Sequence, residues 1–350
     1  MVFAQLYAGI RRVQQTLRLL LSKRPTADLS YSSLTRIDGV LLRGSKVIPQ
    51  APKALKLLND NSVPWILMTN GGGHTERDRV ANLTTMLNVD ISEDQLLQSH
   101  TPFKTLVKKY DRVLVVGGDQ DKCRYVAHSY GFQDVVIPAD IVNIEPSVWP
   151  FHRYRRSELE AWADPSVSLD TKFDAILVFA DPRDMGSDTQ IVLDLLVSQQ
   201  GKWGTRVADL KSVSDPAIPI HFSNNDLLWA SKYKWPRFGQ GAFRLTVETL
   251  YKELTGHELQ SQVIGKPFTF SYDYANKLLS NWSKSSPSPT VYMVGDNPFS
   301  DIQGANNYGW ESILVKTGVY QGTGNDLNSS AEPKYVFDDV LHAVEFVLKG

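Results

Sequence analysis

Two carboxylates, Asp296 and Asp301, stand five residues apart in the segment Val294-Gly295-Asp296-Asn297-Pro298-Phe299-Ser300-Asp301, directly after the apolar run Val291–Val294. A glycine there lets the chain turn sharply, so both carboxylates can converge on one hard cation, and oxygen ligands of this kind suit magnesium. A second segment, Leu67-Met68-Thr69-Asn70-Gly71-Gly72-Gly73, again follows an apolar run. The Thr69 hydroxyl and the backbone amides of Asn70, Gly71 and the glycines beyond form a natural cradle for a phosphate. A third, Val263-Ile264-Gly265-Lys266-Pro267, sets Lys266 just past a short apolar run, where its ammonium can neutralise an anion. It is not a Walker segment, because Gln260 stands where the first glycine belongs and Pro267 replaces the Ser/Thr. Each has a plainer reading: single aspartates cap turns, a glycine run is also a flexible turn, and a lone lysine is ordinarily a surface residue.

The elements that must position these groups are legible as alternating strands and helices. Candidate strands are Trp65–Met68, Val113–Val116, Ala175–Phe179, Ile218–Phe222, Val291–Val294 and Ser312–Val315; Glu76–Leu87 and Phe243–Leu254 read as helices. That alternation predicts a parallel α/β architecture. The carboxyl edge of such a sheet is where ligands bind. Residues 284–289, Lys-Ser-Ser-Pro-Ser-Pro, read as a polar loop. The middle third holds Trp149, Trp162, Trp203, Trp229 and Trp235, which the sequence predicts as core, with a substrate or partner surface as the alternative.

A chain of 350 residues accommodates two domains, and 42% hydrophobic with 21% charged residues is an ordinary globular composition. A formal net charge of -1 argues against a nucleic-acid partner. The single cysteine, Cys123, excludes an internal disulfide and is read as structural. No apolar run approaches the roughly 18 residues of a transmembrane span. Residues 1–27 differ from the rest: Arg11, Arg12, Arg18, Lys23 and Arg24 occur with no acid, and Phe3, Leu6, Ile10, Val13, Leu17 and Leu20 recur at helical spacing. This basic amphipathic segment predicts a mitochondrial leader. The alternative is a retained docking helix on a cytoplasmic protein.

In their order along the chain, the three chemical segments resemble motifs two, three and four of the haloacid-dehalogenase superfamily. Arg36-Ile37-Asp38-Gly39-Val40-Leu41-Leu42-Arg43-Gly44 resembles its first motif, Asp-x-Asp-Gly-Val-Leu. The long insertion between Thr69 and Lys266 resembles the cap of class IIA members. Val135–Trp149 with Pro150-Phe151, Asn224-Asn225-Asp226-Leu227 and Pro236–Phe243 resemble the cat-eye-syndrome-critical-region type of that class. The resemblance implies a doubly wound parallel-sheet core from about 28–100 and 238–350, with an inserted α/β cap at about 101–237. In active relatives the first aspartate attacks phosphorus and lends an oxygen to magnesium. Here that position is Arg36, whose guanidinium has no lone pair to offer.

The resemblance further implies that Asp38 is the counterpart of the general acid/base. It makes Thr69, Asn70, Gly71 and Lys266 the phosphate contacts, and Asp38, Asp296 and Asp301 the metal ligands, retained as vestiges. A divalent ion about 4 Å from a fixed guanidinium is repelled by about 8 kcal/mol at an effective dielectric of 20. A closed ion-pair cluster around Arg36 is therefore expected, with no cofactor; magnesium belongs only to a site that still works. The lead-in Tyr31-Ser32-Ser33-Leu34-Thr35 is also more polar than a central parallel strand should be. The expected function is that of a catalytically inactive relative acting as a binding or structural subunit, with a mitochondrial assembly as its setting. Two alternatives stand beside it: an active magnesium-dependent phosphatase of small phosphate esters, and a sensor that holds a phosphorylated metabolite.

Overall fold

The computed structural model describes residues 31–229, 233, 235–281, 290–320, 322 and 329–349. The leader expected at 1–27 and the loop at 284–289 lie outside the described residues.

Six parallel strands form the first sheet, in the order Tyr335–Phe337, Glu311–Val315, Thr290–Gly295, Tyr31–Thr35, Trp65–Met68, Leu96–Leu97. The inner strands are buried on both faces, as a parallel sheet with helices on both sides requires, while the edge strand Tyr335–Phe337 is partly exposed. Ala51–Asp60 and Val340–Val347 cover one face, where Ala54, Leu55, Leu58 and Val344 pack on Leu67, Val294 and Ile313. Thr269–Ser280 and Gln303–Tyr308 cover the other, burying Tyr272, Ala275 and Ala305 against Leu34, Ile66 and Met293. The sheet is doubly wound.

The strand Tyr31–Thr35 lies at its centre, between Thr290–Gly295 and Trp65–Met68. Its polarity is real, for the hydroxyls of Ser32, Ser33 and Thr35 are buried and have no hydrogen-bond partner among the described residues. A buried, unpaired hydroxyl costs about 1–3 kcal/mol.

A second sheet has five parallel strands, ordered Ser261–Val263, Ile220–Phe222, Ala175–Val178, Arg112–Val116, Asp134–Val136. Met185–Leu196 and Gln240–Thr255 bury Ile191, Leu195, Phe243, Val247 and Tyr251 on one face. Lys122–Tyr130 covers the other, with Cys123 and Val126 in contact with the core.

The sequence boundary at 238 therefore needs moving. The helix Gln240–Thr255 and the strand Ser261–Val263 pack on the second sheet, so the chain returns to the first only after Val263. Amphipathic spacing tells which face of that helix is buried, but not which sheet buries it. The tryptophan expectation also needs correcting. Trp149, Trp162 and Trp203 are only partly buried, and Trp229 and Trp235 are exposed. Among the described helices none is long and apolar enough to cross a membrane.

Candidate functional site

Register brings the first and last chemical segments together. Thr35 pairs with Val294, so the next residues of both strands leave from one sheet edge, and Arg36 N donates to Val294 O at 2.9 Å. The side chain of Arg36 then enters a group of carboxylates. Its Nη1 donates to Asp301 Oδ2 at 2.9 Å and reaches Ser300 Oγ at 3.4 Å. Its Nε lies 3.3 Å from Asp296 Oδ1, and its Nη2 lies 3.9 Å from Asp226 Oδ2. Arg36 is 8% exposed, and Asp296 and Asp301 are 1% and 0% exposed, so solvent screens these charges little.

Lys266 completes the cluster. Its Nζ donates to Asp301 Oδ1 at 2.6 Å and to Met68 O at 3.3 Å. Asp301 also accepts the backbone amides of Asp296 and Asn297, at 3.2 and 3.1 Å. Burial pushes the Asp301 carboxyl up, but Arg36 and Lys266 outweigh burial and hold it down at about 2. The same burial lifts Asp296 to about 6 against the pull of Arg36. Burial also opposes the charge on Arg36, yet Asp301, Asp296 and Asp226 leave its pKa above the ordinary value. Lys266 is displaced downward, by burial and by Arg36, against the attraction of Asp301.

Close packing fixes these positions. Gly39 has φ +79°, and a Cβ there would meet Asp296 Oδ2 at 2.1 Å, so a larger residue would displace that carboxylate. Asp296 Oδ2 is held from the other side by the Val319 amide at 2.7 Å.

The cradle segment closes on itself. Thr69 Oγ1 accepts from Gly71 N at 3.0 Å and donates to Asp38 Oδ2 at 3.4 Å. Asn70 is committed as well. Its Oδ1 accepts from Lys266 N at 3.0 Å, while its Nδ2 donates to Lys266 O at 3.2 Å and to Asp226 Oδ1 at 3.1 Å. The structure thus joins Arg36, Lys266, Asp296 and Asp301, and joins Asn70 to Lys266. Asp38 stands apart from that cluster, half-buried beside Thr69.

Asp226 was missed as a site residue. It comes from the second domain and reaches both Arg36 and Asn70, and burial raises its pKa against the pull of Arg36. Its presence in Asn224-Asn225-Asp226-Leu227, a segment that carried the resemblance, was the signal available. A separation of 190 residues from Arg36 hid its contact.

A second network fastens the domains beside the cradle. Gly73 N donates to His100 Nε2 at 3.0 Å, so the ring proton sits on Nδ1 and is shared with Tyr130 Oη at 2.7 Å. Tyr130, on the cap helix Lys122–Tyr130, donates to Glu76 Oε1 at 2.7 Å, which also takes Thr101 Oγ1 at 2.7 Å and Lys104 at 3.2 Å. Burial lowers the His100 ring to about 4 and keeps it neutral. Between the domains lies a small cleft, lined in part by Gly73, His74, Lys122, Asp181, Arg183 and Asn224. Cys123 is buried, which pushes its thiol up to about 12 and leaves it inert.

The donor set does not fit the magnesium that the resemblance implies. A fixed guanidinium stands among the carboxylates that would hold it, and Asp301 already accepts from Arg36, Lys266 and two amides. Among the described residues no group of three or more His, Cys, Asp or Glu side chains is placed to hold a metal ion.

Comparison with known proteins gives consistent matches. The family model for haloacid dehalogenase-like hydrolases matches residues 34–133, and a HAD-hydrolase-like model matches 263–343. A protein of Saccharomyces cerevisiae named mitochondrial hydrolase is 47% identical over 336 residues, covering 89% of this chain and 94% of that one. In Schizosaccharomyces pombe, a cardiolipin synthase (CMP-forming) / mitochondrial hydrolase fusion protein is 40% identical over 332 residues, or 93% of this chain and 54% of the fusion. Among solved structures, the p-nitrophenyl phosphatase from Archaeoglobus fulgidus superposes with a TM-score of 0.62 at 18% identity, covering 91% of this chain and 100% of that one. A hypothetical protein from Pyrococcus horikoshii matches with the same TM-score and identity, covering 91% and 99%. These structures support the fold: a doubly wound core with an inserted cap.

Proposed function

The chain belongs to the haloacid dehalogenase-like hydrolase family, and from that premise we propose that it acts by binding, as a catalytically silent member within mitochondria. What supports the reading is one observation: Arg36 stands where the family places its nucleophile, and its guanidinium is engaged by Asp301 at 2.9 Å and Asp296 at 3.3 Å. A guanidinium cannot attack phosphorus, and here it neutralises the carboxylates that would otherwise draw a cation. Lys266 and Asn70 are likewise turned inward on Asp301 and on each other.

The test is turnover. With magnesium present, an aryl phosphate and a panel of nucleotide and sugar phosphates are expected to react no faster with this protein than with an Asp296→Ala control. Clear excess turnover overturns the reading and favours a working phosphatase, as the names of its relatives would have it. Light scattering on the native protein then reports whether it travels alone, at 39.3 kDa, or within an assembly. Mitochondrial placement has support in the names of the two yeast relatives and in the basic segment 1–27. A fluorescent reporter fused to that segment is expected to enter mitochondria, and a diffuse cytosolic signal contradicts it.

A further inference from the structure

The second sheet has a crevice of its own. From Arg112–Val116 the chain passes through the helix Lys122–Tyr130 to Asp134–Val136, on one side. From Ala175–Val178, the neighbour on the other side, it passes through Met185–Leu196 to Ile220–Phe222, further out. Those two crossover helices lie on opposite faces of the sheet. The carboxyl ends of Arg112–Val116 and Ala175–Val178 therefore flank a topological switch point, where open parallel sheets take ligands. The small cleft between the domains sits there. Gly118, Asp119 and Lys122 line it after the first of these strands, and Ala180, Asp181 and Arg183 after the second.

The cleft presents hydrogen-bond donors. The nine-residue helix Lys122–Tyr130 starts at its edge, with Asp121 at the N-cap making no side-chain capping bond and no acid in the first turn. No side chain of that turn competes for its amides, and the positive end of the helix dipole favours an anion. Gly118, at φ +81°, lets the turn pass close to the helix: a Cβ there would lie 2.5 Å from Cys123 Sγ and 4.0 Å from Cys123 N.

A second, independent group points to the same ligand. Asn224, which follows Ile220–Phe222, also lines the cleft and is 9% exposed. Its Oδ1 accepts from the Asp226 amide at 2.8 Å, and its Nδ2 has no acceptor among the described residues. A buried amide donor is costly to leave unpaired, and an acceptor on a ligand removes that cost. Charge agrees. Lys122 and Arg183 share one carboxylate, Asp119, at 3.9 Å from Lys122 Nζ and 2.5 Å from Arg183 Nε. Arg183 Nη1 is spent on Asp181 O at 3.0 Å. Burial pushes the Asp181 carboxyl up, towards its neutral form.

We infer that the cap binds a compact anionic group, the phosphate or carboxylate of a small metabolite, at this switch point between Gly118, Lys122 and Asn224. Of the residues that surround Arg36, only Asn70 borders the cleft. The inference therefore does not depend on the silence of the Arg36 site.

The experiment is isothermal titration of the full chain with inorganic phosphate and, separately, with acetate. At least one is expected to bind, and the tighter of the two identifies the group. Asn224→Asp keeps the acceptor for the Asp226 amide but turns the free donor into a negative oxygen. Lys122→Gln removes an exposed cation from the cleft. Each is expected to weaken binding on the order of tenfold. Thermal melting checks that the variants stay folded, and the exposed Lys122 carries the test should Asn224→Asp fail to fold. Thr69→Ala, which alters the cradle of the first domain, is expected to bind as the wild type does. Failure to bind either anion overturns the inference. So does binding that the folded cleft variants leave undiminished, or binding that Thr69→Ala abolishes while they do not, which would place the anion beside Arg36.

Discussion

Arg36 is the residue on which the site turns. Removing it leaves Asp296 and Asp301 buried with only Lys266 to oppose them. Breaking a buried pair from one side costs about 3–5 kcal/mol, so Arg36→Ala is expected to lower the urea-unfolding free energy by that amount. An unchanged midpoint would mean the cluster contributes nothing. Magnesium supplies a second check. The wild-type melting temperature is expected to be indifferent to magnesium and to a chelator, whereas Arg36→Asp, which restores the family's residue, should gain a magnesium-dependent rise of about 3 °C. Acid adds a third. Asp301 has a folded pKa near 2, below its ordinary value, so its contribution is present above about pH 4 and is lost as pH falls towards 2. Sequence exposed Arg36, Asp296, Asp301 and Lys266 because residue type and spacing define them. It could not show Asp226 arriving from the cap, nor Asn70 spending its amide on the Lys266 backbone, because those contacts depend on how the two domains close.

The strands and helices that carry these residues were mostly legible, since buried parallel strands are short apolar runs. Trp65–Met68 and Glu76–Leu87 occur with the ends the sequence predicts, and other elements differ by a few residues. What the pattern did not contain was the partnership of the Gln240–Thr255 helix, because Phe243, Val247 and Tyr251 would suit either sheet. The connection Gln98–Thr101 was likewise opaque, yet it places His100 between the cradle and the cap helix. The His100 ring has a folded pKa near 4, below the usual histidine value. Its contribution is therefore complete above about pH 6.5 and declines as pH falls towards 4, by up to about 3 kcal/mol. Urea midpoints at pH 7 and pH 5 test this: the wild type should lose more stability on acidification than His100→Gln. Equal losses would show that the ring titrates freely in the folded protein.

Across the whole molecule, two parallel sheets are joined by polar contacts that cross the domain boundary. They include Asn70 with Asp226, Arg36 with Asp226, Ser99 with Ser223, and Tyr130 with both His100 and Glu76. Domains tied this closely should melt together. Calorimetry is expected to give one endotherm whose van't Hoff and calorimetric enthalpies agree, and two resolved transitions would show that the cap opens independently. His100→Ala, by cutting one tie, should be the variant that first separates them.

The strand order has a further consequence for synthesis. Tyr31–Thr35 is made early, but Thr290–Gly295, which completes its flank, leaves the ribosome only after the entire second sheet. For most of translation the centre of the first sheet is an unpaired edge, the kind of edge that templates aggregation when it is apolar. Ser32, Ser33 and Thr35 make it a poor template. The hydroxyls that weaken the finished core thus protect the unfinished chain while it waits for its partner.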